Sequence, residues 1–350
     1  MGATTRPTLE HVAARAQVSR QTVSNVLNAP HLVRPETAAR VVAAIEELGY
    51  RPHGAARQLR TRRSRLLGLR IEPVRDGING AVLDRFLHAL TEGAQARGYR
   101  VMLFTAPDDE QEIGQYDELL DTADLDAFVL TGTHRGDPRT RWLAEHDVPF
   151  VTFGRPWEPP APRPADAPER HTEDHPWVDV DGAAGTRAAT EHLLGLGHRR
   201  IGFLGWPEDS DLGADRLDGW RTALHRAGSP DGPHATVADD VASAARATEH
   251  LLDRDDPPTA VVCASDSLAL GALGVARARG LPIAVVGFDD TPVAAALGLS
   301  SVAQPLAEAA DRALRLLLRR LDGGPGPVPD PHVLLTPQLV VRASSAPPPS

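Results

Sequence analysis

In residues 8–28, TLEHVAARAQVSRQTVSNVLN, apolar side chains recur twice at helical spacing, and only a tight turn fits between the two runs. Leu9, Val12, Ala13 and Ala16 share one face of the first run, with Thr8 placed to cap it. Ser19 can cap the second run, whose inner face is Val23, Val26 and Leu27. Left outward at its front are Arg20, Gln21, Thr22 and Asn25, hydrogen-bonding side chains long enough to reach base edges. A third run over residues 35–48 carries Val41, Val42, Ile45 and Leu48 and stops at Gly49, a natural C-terminal cap. Together the three predict a small helical head that presents its second helix outward, as a reader of the DNA major groove must.

The segment that follows, YRPHGAARQLRTRRSR at residues 50–65, is rich in arginine, and Leu59 is the single large apolar residue among the arginines after Pro52. Arg57, Arg60, Arg62 and Arg63 suit phosphate contact, which carries affinity but little sequence information. The run TRRSR also serves as a plain flexible linker on this reading. A lone leucine among them suits a wedge between base pairs entered from the minor groove. Charge divides the chain at the same place. Residues 1–65 contain 11 Arg against 4 Glu, a net +7, whereas the other 285 residues contain 26 Arg against 43 acidic residues, a net −17. A basic head on an acidic remainder confines nucleic-acid contact to the head.

VSRQTVSNVLN, EELGYRPHGAARQLRT, LGHRRIGFLG and VVGFDD closely resemble the lactose-repressor/galactose-repressor family of bacterial transcription regulators, over nearly the whole chain from Thr8 to about Ser344. The resemblance implies an all-α helix-turn-helix head over residues 1–50 and a hinge helix and linker over 51–65. It also implies a two-lobed α/β core of parallel sheets over 66–343, similar to periplasmic binding proteins, with residues 344–350 a disordered tail. It makes residues 19–28 the recognition helix and Leu59 the residue that levers open the operator. The DNA contacts it implies are Thr8, Ser19, Arg20, Gln21, Thr22, Ser24, Asn25, Asn28, Tyr50, His53, Ala56, Arg57, Leu59 and Arg60. Two departures stand out. Gln17 occupies a turn position where relatives usually have Gly, so the turn either tolerates a side chain or takes another geometry. Asn25 stands where relatives often have Arg, which changes the expected base preference.

From Leu66 onward, short apolar runs alternate with helical ones, the pattern of a parallel sheet with crossover helices. LLGLRI, VMLFTA, AFVLTG and PFVTFG are strand candidates of a first half, and WVDVD, RIGFLG, AVVCAS and AVVGFD of a second, with a Pro-rich acidic segment at 158–176 marking the crossover. The expected lobes are 66–176 with 305–328, and 177–304 with 329–343. Ligands in such folds bind beyond the C-terminal strand ends, here between the lobes. Asp289 follows AVVGF, where its carboxylate can accept two vicinal hydroxyls or simply cap a turn. Arg216 matches the family arginine that grips sugar hydroxyls or a carboxylate, against the plainer alternative of an ion pair with Asp215 or Asp218. Ser265 and Asp266 resemble the family's Asn-Asp pair, with a shorter first residue, and Gln304 sits at a position that faces the cleft in relatives. Gly154 stands where sugar-binding members commonly carry Asp, so Arg155 or Trp157 is the candidate to compensate. Asp179 and Asp181 are further candidates.

Other classes find less support. There is no GxSxG elbow, no GxxxxGK[ST] loop and no GxGxxG after a strand, so no enzyme motif is present. His171 and His175 in HTEDH have metal-ligand spacing but sit in a Pro-rich stretch with Asp174 where a metalloprotease motif has Glu, and no metal or other cofactor is expected. A transport-type solute-binding protein would share the core but not the head. One cysteine, Cys263, excludes an internal disulfide, and the absence of an apolar run near 18 residues or of a signal segment predicts a soluble cytoplasmic protein. The tail lacks a leucine heptad, so a homodimer is expected. The combined expectation is a repressor of sugar uptake or catabolism genes that binds a palindromic double-stranded operator. Its affinity would be set by a small sugar-like effector; a corepressor-dependent regulator of another pathway, such as nucleosides or purines, is the alternative.

Overall fold

The computed structural model describes residues 7–28, 30–50, 63–71, 80–157, 175–207, 210–323 and 330–345, in two compact units, residues 1–64 and 65–350. In the first unit, α1 (Leu9–Ala16), α2 (Arg20–Asn28) and α3 (Pro35–Leu48) bury Val12, Ala13, Ala16, Val23, Val26, Val41 and Ala44 against one another. Thr8 caps α1 by accepting from the His11 amide, and α3 ends on Gly49 in the left-handed conformation that a C-cap requires. Val42 is a correction: it is exposed, and Ala44 takes the inner place, because the face that closes on α1 runs through 41, 44, 45 and 48.

The turn between α1 and α2 is left-handed at Gln17 despite its side chain. Gln17 lies at φ 52°, ψ 50°, with its backbone N–H on the Ala13 and Ala14 carbonyls. A left-handed residue with a Cβ costs about 1 kcal/mol over glycine. Gln17→Gly is therefore expected to raise amide-exchange protection of α1 in the full-length protein about fivefold, and unchanged protection would show the turn to be unstrained.

The second unit holds two six-stranded sheets. In chain order its elements are β1 (Leu66–Ile71), α4 (Gly80–Ala96), β2 (Arg100–Thr105), α5 (Asp109–Ala123), β3 (Ala127–Leu130), α6 (Pro138–Glu145), β4 (Phe150–Phe153), β5 (Trp177–Val180), α7 (Gly182–Gly195), β6 (Ile201–Gly205), α8 (Asp211–Arg226), β7 (His234–Thr236), α9 (Val241–Leu252), β8 (Ala260–Cys263), α10 (Asp266–Ala278), β9 (Ala284–Phe288), α11 (Pro292–Leu297), β10 (Ser300–Ala303), α12 (Leu306–Leu321), β11 (His332–Leu335) and β12 (Gln338–Val340). The first sheet runs β11-β5-β4-β3-β1-β2, all parallel, and the second runs β12-β10-β9-β8-β6-β7, parallel except for β10 against β12. Strands buried on both faces, such as AFVL and AVVC, are continuous apolar runs because helices cover both sides.

Three sequence expectations change here. Trp177–Val180 belongs to the first sheet, between β4 and β11, so the chain changes lobe at Asp181, which caps α7, and not before Trp177. The last two strands are divided between the lobes: β11 closes the edge of the first sheet, and β12 pairs in the second. Ser344 and Ser345 are tied down, Ser344 to the Val285 carbonyl at 2.6 Å and Ser345 to Ser300 at 2.7 Å, so a disordered tail cannot begin at 344. Residues 346–350, the hinge candidates His53, Ala56, Arg57, Leu59, Arg60 and Arg62, and the stretch 158–174 with His171 lie outside the described residues. His175 is buried against the Phe150 ring and bonded to Thr152 at 3.2 Å, the surroundings of a core histidine and not of a metal ligand.

The first lobe contains a buried ionic cluster that no motif announced. Arg139, at the start of α6, is fully buried and reaches Asp137 at 2.7 Å, Glu112 at 3.1 Å and the carbonyls of Thr131 and Gly132. Arg70 meets the same Glu112 oxygen, Oε2, at 2.9 Å, and the Tyr116 hydroxyl donates to Oε1 at 2.8 Å. Two guanidiniums thus satisfy one fully buried carboxylate.

Candidate functional site

On the head, Ser19 accepts from the Thr22 amide at 3.1 Å and starts α2, which leaves Arg20 and Gln21 exposed and Thr22, Ser24 and Asn25 half-buried. Gln21 donates to Asn25 Oδ1 at 2.9 Å, one turn along the same face, and Arg20 leans on Glu10 at 2.8 Å. These contacts hold the polar row in order at the helix surface. Tyr50 is a correction: it is 5% exposed within the head core, where its ring supports α1 and α3 and offers no surface to DNA. Nothing is described of the Asn28 side chain.

In the core, the polar residues at the strand ends converge from both lobes. Arg216, near the start of α8, is buried, and its guanidinium lies 3.7 Å from the Phe288 ring centroid and 4.7 Å from that of Trp206. It donates to the Ala264 carbonyl and stands 3.8 Å from Asp289 Oδ1. Gln304 donates to the same carboxylate at 2.7 Å. Neither Asp215 nor Asp218 is the main partner of Arg216, and Asp289 caps no turn. Arg155, at the end of β4, approaches Asp179 at 3.0 Å and, across the lobes, Asp215 at 2.8 Å; both contacts are ion pairs whose angles fall outside hydrogen-bond geometry. Gly154 explains itself sterically, since at φ 126° an added Cβ would lie 2.2 Å from Thr133 Oγ1. No Asp can stand there while Thr133 holds the Arg155 carbonyl at 3.1 Å.

Ser265 and Asp266 are placed differently from expectation. Ser265 caps α10 and donates to Asp239 at 2.5 Å, and Asp266 accepts from the Ser301 hydroxyl at 2.6 Å and the Thr291 amide at 2.7 Å. Both are fully buried, so they brace the β8, β9 and β10 ends instead of facing the cleft. Asp181 is spent on capping α7. Trp206, Phe288 and Asp239 were missed; a tryptophan directly after the RIGFLG strand, one position beyond its C-terminal end, was the available signal for the first. Two further arginines of the first lobe reach the second: Arg135 to Asp211 at 2.8 Å from its backbone amide, and Arg85 to the Asp289 and Asp290 carbonyls at 3.3 Å. Buried donors remain. Arg216 Nε and Trp206 Nε1 have no acceptor among the described residues, which is what a polar ligand would supply.

Burial dominates the titration of this cluster. It pushes the Asp289 carboxyl up to about 8 against the pull of Arg216, and Asp179 up to about 6 against that of Arg155. A carboxyl whose folded value is raised favours the folded state at low pH, and the advantage is lost as pH climbs through the folded value. The core is therefore expected to lose stability to urea between about pH 4 and pH 8, and Asp289→Asn should flatten the part above pH 6. A slope in the variant equal to that of the wild type would remove Asp289 from the account.

A helix-turn-helix head with an ordered polar recognition row, joined to a two-lobed core with a buried polar cleft, defines a DNA-binding transcription regulator with a ligand-binding core and not an enzyme. Residues 8–53 match the model of the bacterial regulatory proteins of the lacI family, and residues 190–345 match a periplasmic binding protein-like domain. The chain is 37% identical to the HTH-type transcriptional regulator CelR of Thermobifida fusca over 91% of this chain and 93% of that one. Among solved structures it is similar to a transcriptional regulator CelR-cellobiose complex, at 34% identity, covering 97% of this chain and all of that one, with a TM-score of 0.66. The lac repressor dimer bound to operator and the anti-inducer ONPF aligns at 25% identity, over 98% of this chain and 100% of that one, with a TM-score of 0.81. The chain belongs to the lacI family of bacterial transcription regulators.

Proposed function

We propose that this regulator is a cytoplasmic homodimer that represses sugar uptake or catabolism genes and releases its operator when a small sugar, a β-linked disaccharide such as cellobiose in the first instance, enters the cleft. The observation that carries the reading is the cleft itself. Arg216, Asp289 and Gln304 offer fork, carboxylate and amide to vicinal hydroxyls, and Trp206 and Phe288 give apolar faces beside them. Arg155 and Asp179 extend the polar lining from the other lobe, and Arg155 reaches Asp215 across the cleft. Support for a sugar comes from the similarity to a regulator solved with cellobiose. No described helix is long and apolar enough to cross a membrane.

On this reading residues 7–50 read the operator, 51–65 form the hinge, with Leu59 as the minor-groove wedge and Arg57 and Arg60 on phosphates, and the core from 66 onward senses the effector. The dimer sets two α2 helices about one DNA turn apart. Closing the lobes around sugar separates the hinges, and operator affinity falls by the coupling free energy between the sites. A thermal-shift screen of the full-length protein against mono- and disaccharides tests the effector: a ligand at 100 times its Kd adds about 2.7 kcal/mol. The stabilising sugar must also release operator DNA in a gel shift. Stabilisation by no sugar, or tighter operator binding with sugar, overturns the proposal.

The Gln21 and Asn25 amide pair makes a specific claim on bases. Asn can bridge N6 and N7 of adenine, whereas Arg prefers guanine. We expect Asn25→Arg to move half-site preference from A·T toward G·C by about 1 to 3 kcal/mol. Selection of bound sequences from a random pool with both proteins checks it, and identical half-sites would mean that Asn25 reads no base.

A further inference from the structure

The second lobe has a groove of about 530 Å3 between edge strand β7 and helix α9, away from the residues of the effector cleft. Apart from Ser243, its polar lining is cationic or titratable toward cation: His234 from the strand, and Arg246, His250 and Arg254 at one-turn spacing along the helix and its end. Val237 and Leu251 contribute to an apolar floor, and no carboxylate lines it. That is unexpected on a core whose residues 66–350 carry a net −17.

The charges on α9 are sorted by face. Glu249 and Asp253 lie toward Arg279, which bonds Asp253 at 2.6 Å, while Arg246, His250 and Arg254 turn to the groove. Arg254 has no ion-pair partner among the described residues, and Arg246 is bonded only to the Ser243 hydroxyl at 2.9 Å. Asp240, whose charge Arg246 feels, is engaged as the N-cap of α9, and Asp253, whose charge His250 feels, is bonded to Arg279. A helix C-terminus favours cations and accounts for His250 and Arg254, but not for Arg246 earlier in the helix or His234 on the strand.

From this arrangement we infer a second ligand site, for a small phosphorylated metabolite. Guanidinium forks take phosphate oxygens in pairs, imidazoles add donors, and the groove volume lies in the range of small-ligand pockets. The site also has a route to the cleft. The strand that forms its wall leads through Ala238 to Asp239, which Ser265 holds at 2.5 Å and whose charge is felt by Arg216 and Asp289.

Isothermal titration of the full-length protein with inorganic pyrophosphate tests the site. We expect saturable binding at one site per protomer, weakened at least about tenfold in R246A/R254A, or about 1.4 kcal/mol, and unchanged in R216A. A parallel titration with ribose 5-phosphate separates the sources: tighter binding than pyrophosphate assigns an organic phosphate, weaker binding the inorganic anion. No heat from either anion, or equal binding by the double variant, overturns the inference. So does loss of binding in R216A, which would place the anion in the cleft. Loss of DNA affinity in the double variant without any anion binding would give the groove to nucleic acid instead.

Discussion

Arg216→Ala is expected to leave operator binding near wild type while weakening sugar binding about 100-fold, so that release requires a correspondingly higher sugar concentration. Arg216 supplies the one fully buried guanidinium of the cleft, stacked on Phe288 and Trp206, with an Nε that has no acceptor among the described residues. Charge-assisted hydrogen bonds are worth about 1.5 to 3 kcal/mol each, and two of them account for the effect after partial compensation by water. The change leaves Asp289 without its cation. Burial already holds that carboxyl at about 8, so it becomes neutral at pH 7 instead of leaving a bare buried charge. Circular dichroism establishes folding, and Asp289→Asn repeats the test by exchanging one carboxylate oxygen for an amide donor with little change of shape. If both variants fold and release operator at the wild-type sugar concentration, the cleft is not the sensor.

Arg139→Met should cost about 3 kcal/mol of core stability, the larger part of what breaking a buried ion pair costs. The side chain is fully buried and touches three carboxylates and two carbonyls, so its loss strands Asp137 and leaves the buried Glu112 with Arg70 and the Tyr116 hydroxyl. Adding Asp137→Asn should recover part of the loss, because the stranded charge is then removed along with the cation. Urea unfolding of the full-length protein reads both. A loss under about 1 kcal/mol, the range of exposed pairs, would mean that the cluster is solvated in solution.

Much of the head and of the strand pattern could be read directly. Thr8, Ser19 and Gly49 are caps with local chemistry, and local chemistry needs only neighbouring residues. Most of the apolar runs from LLGLRI to AVVGF are strands for the same reason: burial on both faces leaves no polar alternation, and each run shows it by itself, whereas VMLFT forms the exposed edge strand β2. Short elements escaped. The three-residue β7 and the six-residue α11 are too brief to display a period, and β11 and β12 rest on short apolar runs, VLL and LVV, separated only by TPQ. The candidate cleft was legible in part, through Arg216, Asp289, Gln304 and Arg155, each placed at a strand end or helix start.

What the sequence by itself determined was therefore local: the capped helices and their outward polar row, the basic head on an acidic core, and the alternation of strand and helix. Tertiary structure decided the rest. Which sheet Trp177–Val180 joins depends on pairing with strands far along the chain, and its four residues look the same in either lobe. Whether a polar residue faces a cleft or braces a turn depends on its partners in space. Asp266 and Asp289 both end apolar strands, yet Asp266 spends its oxygens on Ser301 and Thr291, and Asp289 turns at φ 106° to meet Arg216 and Gln304. Likewise no local signal separates Arg139, in the first turn of α6, from Arg155, just after β4. Only packing made one the buried partner of Glu112 and the other a bridge between lobes, because the desolvation that sets the strength of a charge is imposed by everything folded around it.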